Sequence, residues 1–332
     1  MSRARLPTTV VNTLTSHVGP INAITFSSLG GTYILTGSSD RQVHLSRSEP
    51  TNPDQPSVPI QKYGAHGYPV LDIAVAHDNH TFASVGGDRS VFLWDVQNSE
   101  GTVRRFGSNT NQGHSSRITC VAFAGDGDGV LVSGSDDRSL RLWDVKSRDA
   151  KPLMILEEAK DGVSSLLAPD NGYEIISGSI DGRLRSYDVR MGRATVDVQP
   201  GPITSLDLSR DGKTILVGCL DGRIRMMDRA DGTCLRAFPP EGNVEGYQNE
   251  SLRLKSCFAI NESLVVSGSE SDGNVRGWDV LSGKHIGSLV LSKNSRKVVS
   301  VVRWREGSQS QGRQGLLAAG GAEGIVKIYS EG

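Results

Sequence analysis

The chain is poor in cysteine, in aromatic side chains, in long apolar runs and in any surplus of one charge, and each shortage closes off a class of function. It carries 36 basic and 37 acidic residues for a formal net charge of -1. There is thus no general electrostatic pull toward nucleic acid or an anionic membrane. Aromatic residues make up 5% of the chain, too few for a base-stacking face, so direct binding of RNA or DNA is not expected. No apolar run approaches the roughly 20 residues of a spanning helix. Arg3 and Arg5 precede no apolar segment of the signal-peptide kind, so the expectation is a soluble, non-secreted chain with no membrane partner. Cys120, Cys219, Cys234 and Cys257 show no Cys-x-x-Cys spacing, and Cys120, Cys219 and Cys257 sit in apolar strand patterns. Reduced, packed thiols are expected rather than a disulfide framework or a metal site. There is no Gly-rich phosphate loop and no nucleophile elbow, so neither catalysis nor a cofactor is expected.

What is there is a repeat. An acidic residue opens a turn followed by alternating apolar positions at Asp40, Asp88, Asp137, Asp181, Asp221, Asp272 and Glu323. The runs from Asp88, Asp137 and Asp272 close on Trp-Asp, at Trp94-Asp95, Trp143-Asp144 and Trp278-Asp279. The third repeat also shows its strands: 118–123, then 130–133, then 137–144, short alternating segments separated by turn residues. Spacings of about 40 to 50 residues between openers, with Gly-His ahead and Trp-Asp behind, form a known repeat signature.

In these residues the chain resembles the WD40-repeat family. The resemblance implies an all-β, seven-bladed propeller, one domain over residues 1–332. It also implies that His66, Ser84, Asp88 and Trp94, and equally His114, Ser133, Asp137 and Trp143, form buried hydrogen-bonded chains. Such chains are structural rather than catalytic, because they repeat in separate blades. The first repeat keeps His17, Thr36 and Asp40 but has Ser46-Arg47 in place of Trp-Asp, and repeats four to seven lack a clear Gly-His. The β-branched segment 8–14 resembles the strand that completes the last blade of the family and closes the ring. A closed ring has no exposed edge and needs no second copy. Segments 49–57, 239–248 and 306–315 break the period and are expected as loop insertions.

In an antiparallel blade, the link to the next inner strand and the turn between middle strands lie at one end. Tyr68, Arg117, Asp136, Lys160, Ile180 and Leu220 therefore cluster on one rim, with Lys293, Arg296 and Lys297 beside them, as a candidate partner-binding face. Arg141, Arg185, Arg225 and Arg276 recur at one place in the repeat and are expected to brace neighbouring blades.

Segments 64–72, 158–165, 181–192 and 201–212, notably Tyr187-Asp188 followed by Arg190-Met191-Gly192, resemble the organisers of mitogen-activated protein kinase cascades, small WD-repeat scaffolds. The likeness extends over all seven repeats and is weak in segments 47–62 and 305–315. The resemblance implies a non-enzymatic scaffold in cytoplasm and nucleus. Its partners would be kinase-cascade components or, in pre-mRNA splicing, factors of the spliceosome. The alternative is a substrate-recognition subunit of a ubiquitin ligase, but the first 15 residues are too short and strand-like for a ligase-docking helix.

Overall fold

The computed structural model describes residues 5–28, 30–52, 57–108, 112–149, 151–169, 171–239, 247–292, 297–307 and 312–331. The chain opens on β1 (Thr9–Leu14), which is set aside until the ring closes. Blade 1 runs β2 (Ile21–Phe26), β3 (Tyr33–Ser38), β4 (Val43–Arg47) and β5 (Gln61–Tyr63). Blade 2 holds β6 (Val70–Val75), β7 (Thr81–Gly86), β8 (Val91–Asp95) and β9 (Arg104–Phe106). Blade 3 holds β10 (Ile118–Ala124), β11 (Val130–Ser135), β12 (Leu140–Asp144) and β13 (Met154–Leu156). Blade 4 comprises β14 (Val163–Leu167), β15 (Glu174–Ser179), β16 (Arg183–Asp188) and β17 (Arg193–Val198). Blade 5 comprises β18 (Ile203–Leu208), β19 (Thr214–Cys219), β20 (Arg223–Asp228) and β21 (Cys234–Phe238). Blade 6 is β22 (Ser256–Ala259), β23 (Leu264–Ser267), β24 (Asn274–Asp279) and β25 (His285–Val290). The last three strands are β26 (Val299–Arg305), β27 (Leu316–Gly321) and β28 (Val326–Ser330).

Each blade is a four-stranded antiparallel sheet, and the seventh is ordered β1-β28-β27-β26. β1 lies antiparallel on β28, with Thr9 opposite Ser330 and Leu14 opposite Val326. The two ends of the chain thus share one sheet, so the all-β, seven-bladed propeller is closed by its N-terminal strand.

The core lies between blades rather than inside them. Seven apolar clusters form, each joining a blade to its neighbour; Phe82, Phe92 and Trp94 of blade 2, for instance, pack with Leu35, Val43 and Tyr63 of blade 1. A sheet buried on both faces needs this two-sided apolar pattern, which is why β3, β7, β11, β15 and β19 are almost wholly buried. Side chains near the start of the inner strands reach the next blade. Asn22 Nδ2 donates to Val70 O at 2.8 Å and Ser300 Oγ to Ile21 O at 2.7 Å, while Thr119 and Ser164 donate to Val163 O and Ile203 O. Those four donors sit where strand register slips, at a bulge that turns the side chain out of the ladder toward the adjoining blade.

The period-breaking segments fall between β4 and β5, between β21 and β22, and between β26 and β27. Residues 53–56, 240–246 and 308–311 of them lie outside the described residues. No helix among the described residues is long and apolar enough to cross a membrane. Cys120, Cys219 and Cys257 are buried free thiols and Cys234 is an exposed one. Burial pushes Cys120 and Cys219 up to about 12 and raises Cys257 as well, so all three are protonated and unreactive.

Candidate partner-binding rim and the chains that hold it

The rim is built from below by the turn acids. In blade 3, Trp143 Nε1 donates to Ser133 Oγ at 2.8 Å, Ser133 meets His114 Nε2 at 2.8 Å, and His114 Nδ1 meets Asp137 at 2.9 Å. A carboxylate can only accept, so Nδ1 carries the proton and Nε2 accepts from the serine hydroxyl. Asp137 also takes the Ser115 amide at 2.9 Å, which ties the loop entering the blade to the β11–β12 turn. Burial alone would raise its pKa, but the bonds from His114, Ser139 and Ser115 hold the carboxyl far below the usual range. Blade 2 repeats the chain: Trp94 to Ser84 at 2.7 Å, Ser84 to His66 at 2.7 Å, His66 to Asp88 at 2.5 Å, with the Gly67 amide on Asp88. In blade 1, His17 joins Thr36 at 2.9 Å and Asp40 at 2.8 Å, and no tryptophan completes it.

The strand arginines act within blades, not between them as their spacing suggested. Arg185 pairs with Asp181 at 2.6 Å, Arg225 with Asp221 at 2.5 Å and Arg276 with Asp272, each four residues from the turn acid. Strand alternation places both on one face, so the cation folds back on the acid that opens its own run. In blades 4 to 6 the arginine thus takes the acid partner that histidine supplies in blades 1 to 3. Asp137 of blade 3 has both, with Arg141 at 3.0 Å. Burial opposes the Asp181 charge, yet Arg185 and the Lys160 and Arg183 amides hold its carboxyl down at about 2.

On this footing stand the rim residues. Tyr68 is 59% exposed in the loop between β5 and β6. Arg117, ahead of β10, pairs with Asp136 in the β11–β12 turn. Lys160 lies in the loop before β14, its amide donating to Asp181 at 2.9 Å. Ile180 and Leu220 are half-buried behind β15 and β19, their amides bound to Gly162 O and Pro202 O. These six lie at one end of blades 2 to 5, and in blades 2 to 4 the turn acids Asp88, Asp137 and Asp181 also bind an amide of the entering loop. Lys293 and Arg296 lie outside the described residues; Lys297 precedes β26.

Charges crossing the central channel were not singled out from the sequence. Asp136 also takes Arg253 at 2.8 Å, from the segment entering blade 6, which faces blade 3 across the ring. Lys255 of that segment reaches Asp72 of blade 2 at 2.5 Å, and Arg303 of blade 7 meets Asp207 of blade 5 at 3.4 Å. The channel below has a volume of about 380 Å³ and is lined by inner strands of all seven blades, Ile24, Asp72, Cys120, Ser165, Ser205 and Ser256 among them. The available signal was a charged residue inside an apolar strand run, as at Asp72 between Leu71 and Ile73.

His17, Asp40 and His44 lie close enough for a metal ion. Both nitrogens of His17 are bonded to Asp40 and Thr36, and those of His44 to Ser16 and Gln42. With all four nitrogens engaged, this donor set does not fit a resident metal.

Repeated buried acid–histidine–hydroxyl chains under a seven-bladed ring define a propeller of the WD40 class. Residues 8–45, 57–95, 107–144, 150–188 and 194–228, together more than half the chain, match the family described as WD domain, G-beta repeat, and the chain belongs to that family. Among proteins it is similar to is WD repeat domain-containing protein 83 of Rattus norvegicus, 38% identical over 87% of this chain and 84% of the relative. The Homo sapiens protein of that name is 39% identical over 84% and 81%. The Dictyostelium discoideum WD repeat domain-containing protein 83 homolog is 28% identical over 83% and 86%. The matched residues end at 228, so β22 to β28, all of blade 6 and three strands of blade 7, lie outside them.

Proposed function

We propose that this chain is a non-enzymatic protein-interaction scaffold of the mitogen-activated protein kinase organiser type. It assembles kinase-cascade components, associates with the spliceosome in pre-mRNA splicing, or does both, and works in the cytoplasm and nucleus. The observation that carries the reading is the likeness to WD repeat domain-containing protein 83, which extends over most of both chains. The rim supports it: exposed Tyr68 and Arg117 are presented on loops already fixed by Asp88 and Asp137, so little ordering entropy opposes docking. A ring with several such loops holds more than one partner, raising the concentration each feels of the other.

The test is affinity purification of the full chain from nuclear and cytosolic extracts beside Tyr68→Ala/Arg117→Ala, with melting temperatures matched. Recovery of splicing factors or cascade kinases, lost in the variant, is the expected result. Recovery of cullin-type ligase subunits instead would replace the scaffold reading with that of a ligase receptor.

A further inference from the structure

Described residues of two segments that break the repeat, Glu49 to Thr51 and Arg313 to Gln314, come together on the rim opposite Tyr68, at the seam between blades 7 and 1. There, residues 256 positions apart in the chain, Glu49 and Arg305, come within 3.4 Å. They border a cavity of about 220 Å³ whose lining includes Arg47, Arg305, Arg313, Glu49, Thr32 and Thr51. Its described lining thus carries three arginines and one carboxylate.

Arg305 is the unusual member. Its side chain is 7% exposed, and its sole carboxylate partner among the described residues is Glu49, which is 55% exposed. Its other bonds go to neutral carbonyls, Gly30 O at 2.9 Å and Gln314 O at 2.6 Å, and its Nε is buried with no partner. Burial lowers its pKa, the mark of a cation short of compensation. The fold nevertheless makes room for it: a Cβ on Gly31 would lie 2.1 Å from Arg305 Cδ. Arg313 bonds only Gly30 O, at 3.2 Å, among the described residues. Arg47 rests over the Tyr33 ring at 5.8 Å and pairs with no carboxylate among the described residues. A buried charge left this way is unfavourable unless an anion completes it, and planar guanidinium forks suit tetrahedral oxyanions.

We propose that this seam pocket binds a phosphate group. Arg313 and Arg47 contact it directly, the Thr32 and Thr51 hydroxyls add donors, and Arg305 supplies the buried charge beneath. The volume is several times the roughly 30 Å³ share of one water, enough for a phosphate group. Glu49 competes for the same cations and so sets the threshold for binding.

Isothermal titration calorimetry of the full chain with inorganic phosphate, against chloride at matched ionic strength, tests the proposal. Saturable binding to phosphate alone is expected, weakened about tenfold or more by Arg313→Gln or Arg47→Gln, each removing a charge-assisted bond. Glu49→Gln should tighten it. Arg305→Leu is avoided as the primary variant because it would disturb the seam itself. O-phosphoserine binding more tightly than inorganic phosphate assigns the group to a phosphorylated side chain; equal binding assigns it to free phosphate. No saturable heat, or wild-type affinity in both arginine variants, overturns the site.

Discussion

Four residues beyond the seven turn acids stand His44, Phe92, Arg141, Arg185, Arg225, Arg276 and Lys327, and the differences among them have consequences. His44 stacks on His17 with ring centroids 3.8 Å apart. Burial, then the nearby His17 and Lys62 charges, lower its pKa to about 4. Unfolded, the ring titrates near 6.5. The unfolded chain thus binds more protons between those values, so stability is full above pH 6.5 and is lost as pH falls toward 4. The loss should be on the order of 2 kcal/mol. In blade 2 the equivalent Phe92 sits over His66 at 4.1 Å, so His44→Phe should be tolerated and should flatten the melting-temperature profile across that window. A variant with the wild-type acid slope would assign the loss elsewhere. For the arginines, Asp181→Ala strands a buried guanidinium and should cost about 3–5 kcal/mol. Adding Arg185→Met should recover most of it; a double variant no more stable than Asp181→Ala would show that Asp181 acts mainly through the Lys160 and Arg183 amides.

At the scale of elements, the N-terminal segment ties two blades. β1 belongs to blade 7, but Leu6 just ahead of it is buried among Val275, Leu289 and Leu291 of blade 6. It enters where Gly277 stands opposite Gly287 across the β24–β25 pair, and a Cβ on Gly277 would lie 2.7 Å from Leu6 Cδ2. Leu6→Ala should destabilise by about 2–5 kcal/mol in urea melts, the range for emptying a leucine site. Gly277→Ala should also destabilise, but much less in the Leu6→Ala background, where the clash is gone; additive losses would mean the two do not meet. Strand 8–14 was legible because its β-branched run had no blade of its own, whereas nothing periodic marks a lone leucine crossing to the next blade. The same division holds throughout. Inner and middle strands show themselves by two-sided apolar burial, and the turn acids locate the rim. Outer strands such as β17, exposed along nearly its whole length, carry no such pattern. The arginines were legible as a recurrence but not in their partners, because a spacing of four along a turn and strand does not say which face is shared until the hairpin closes.

For the whole molecule, what spacing could not reveal is contact across the ring, since Asp72 and Lys255 are 183 positions apart. Their 2.5 Å bond joins blades 2 and 6 over the channel, while the other Asp72 oxygen accepts the Val121 amide of blade 3 at 3.1 Å. These two roles differ in weight. The Lys255 side chain is 38% exposed, so its attraction is screened and is worth at most about 1 kcal/mol. The Val121 amide is buried and has no solvent substitute, so Asp72→Ala should cost about 1–3 kcal/mol. A double-mutant cycle with Lys255→Met should therefore return a coupling well below the Asp72→Ala loss, and that coupling should shrink with added salt. If Lys255→Met alone destabilises as much as Asp72→Ala, the channel-spanning charge is the principal brace. If it does not, each blade is held chiefly by its neighbour, and the ring owes its integrity to the seven interfaces and the β1 closure rather than to bonds across its axis.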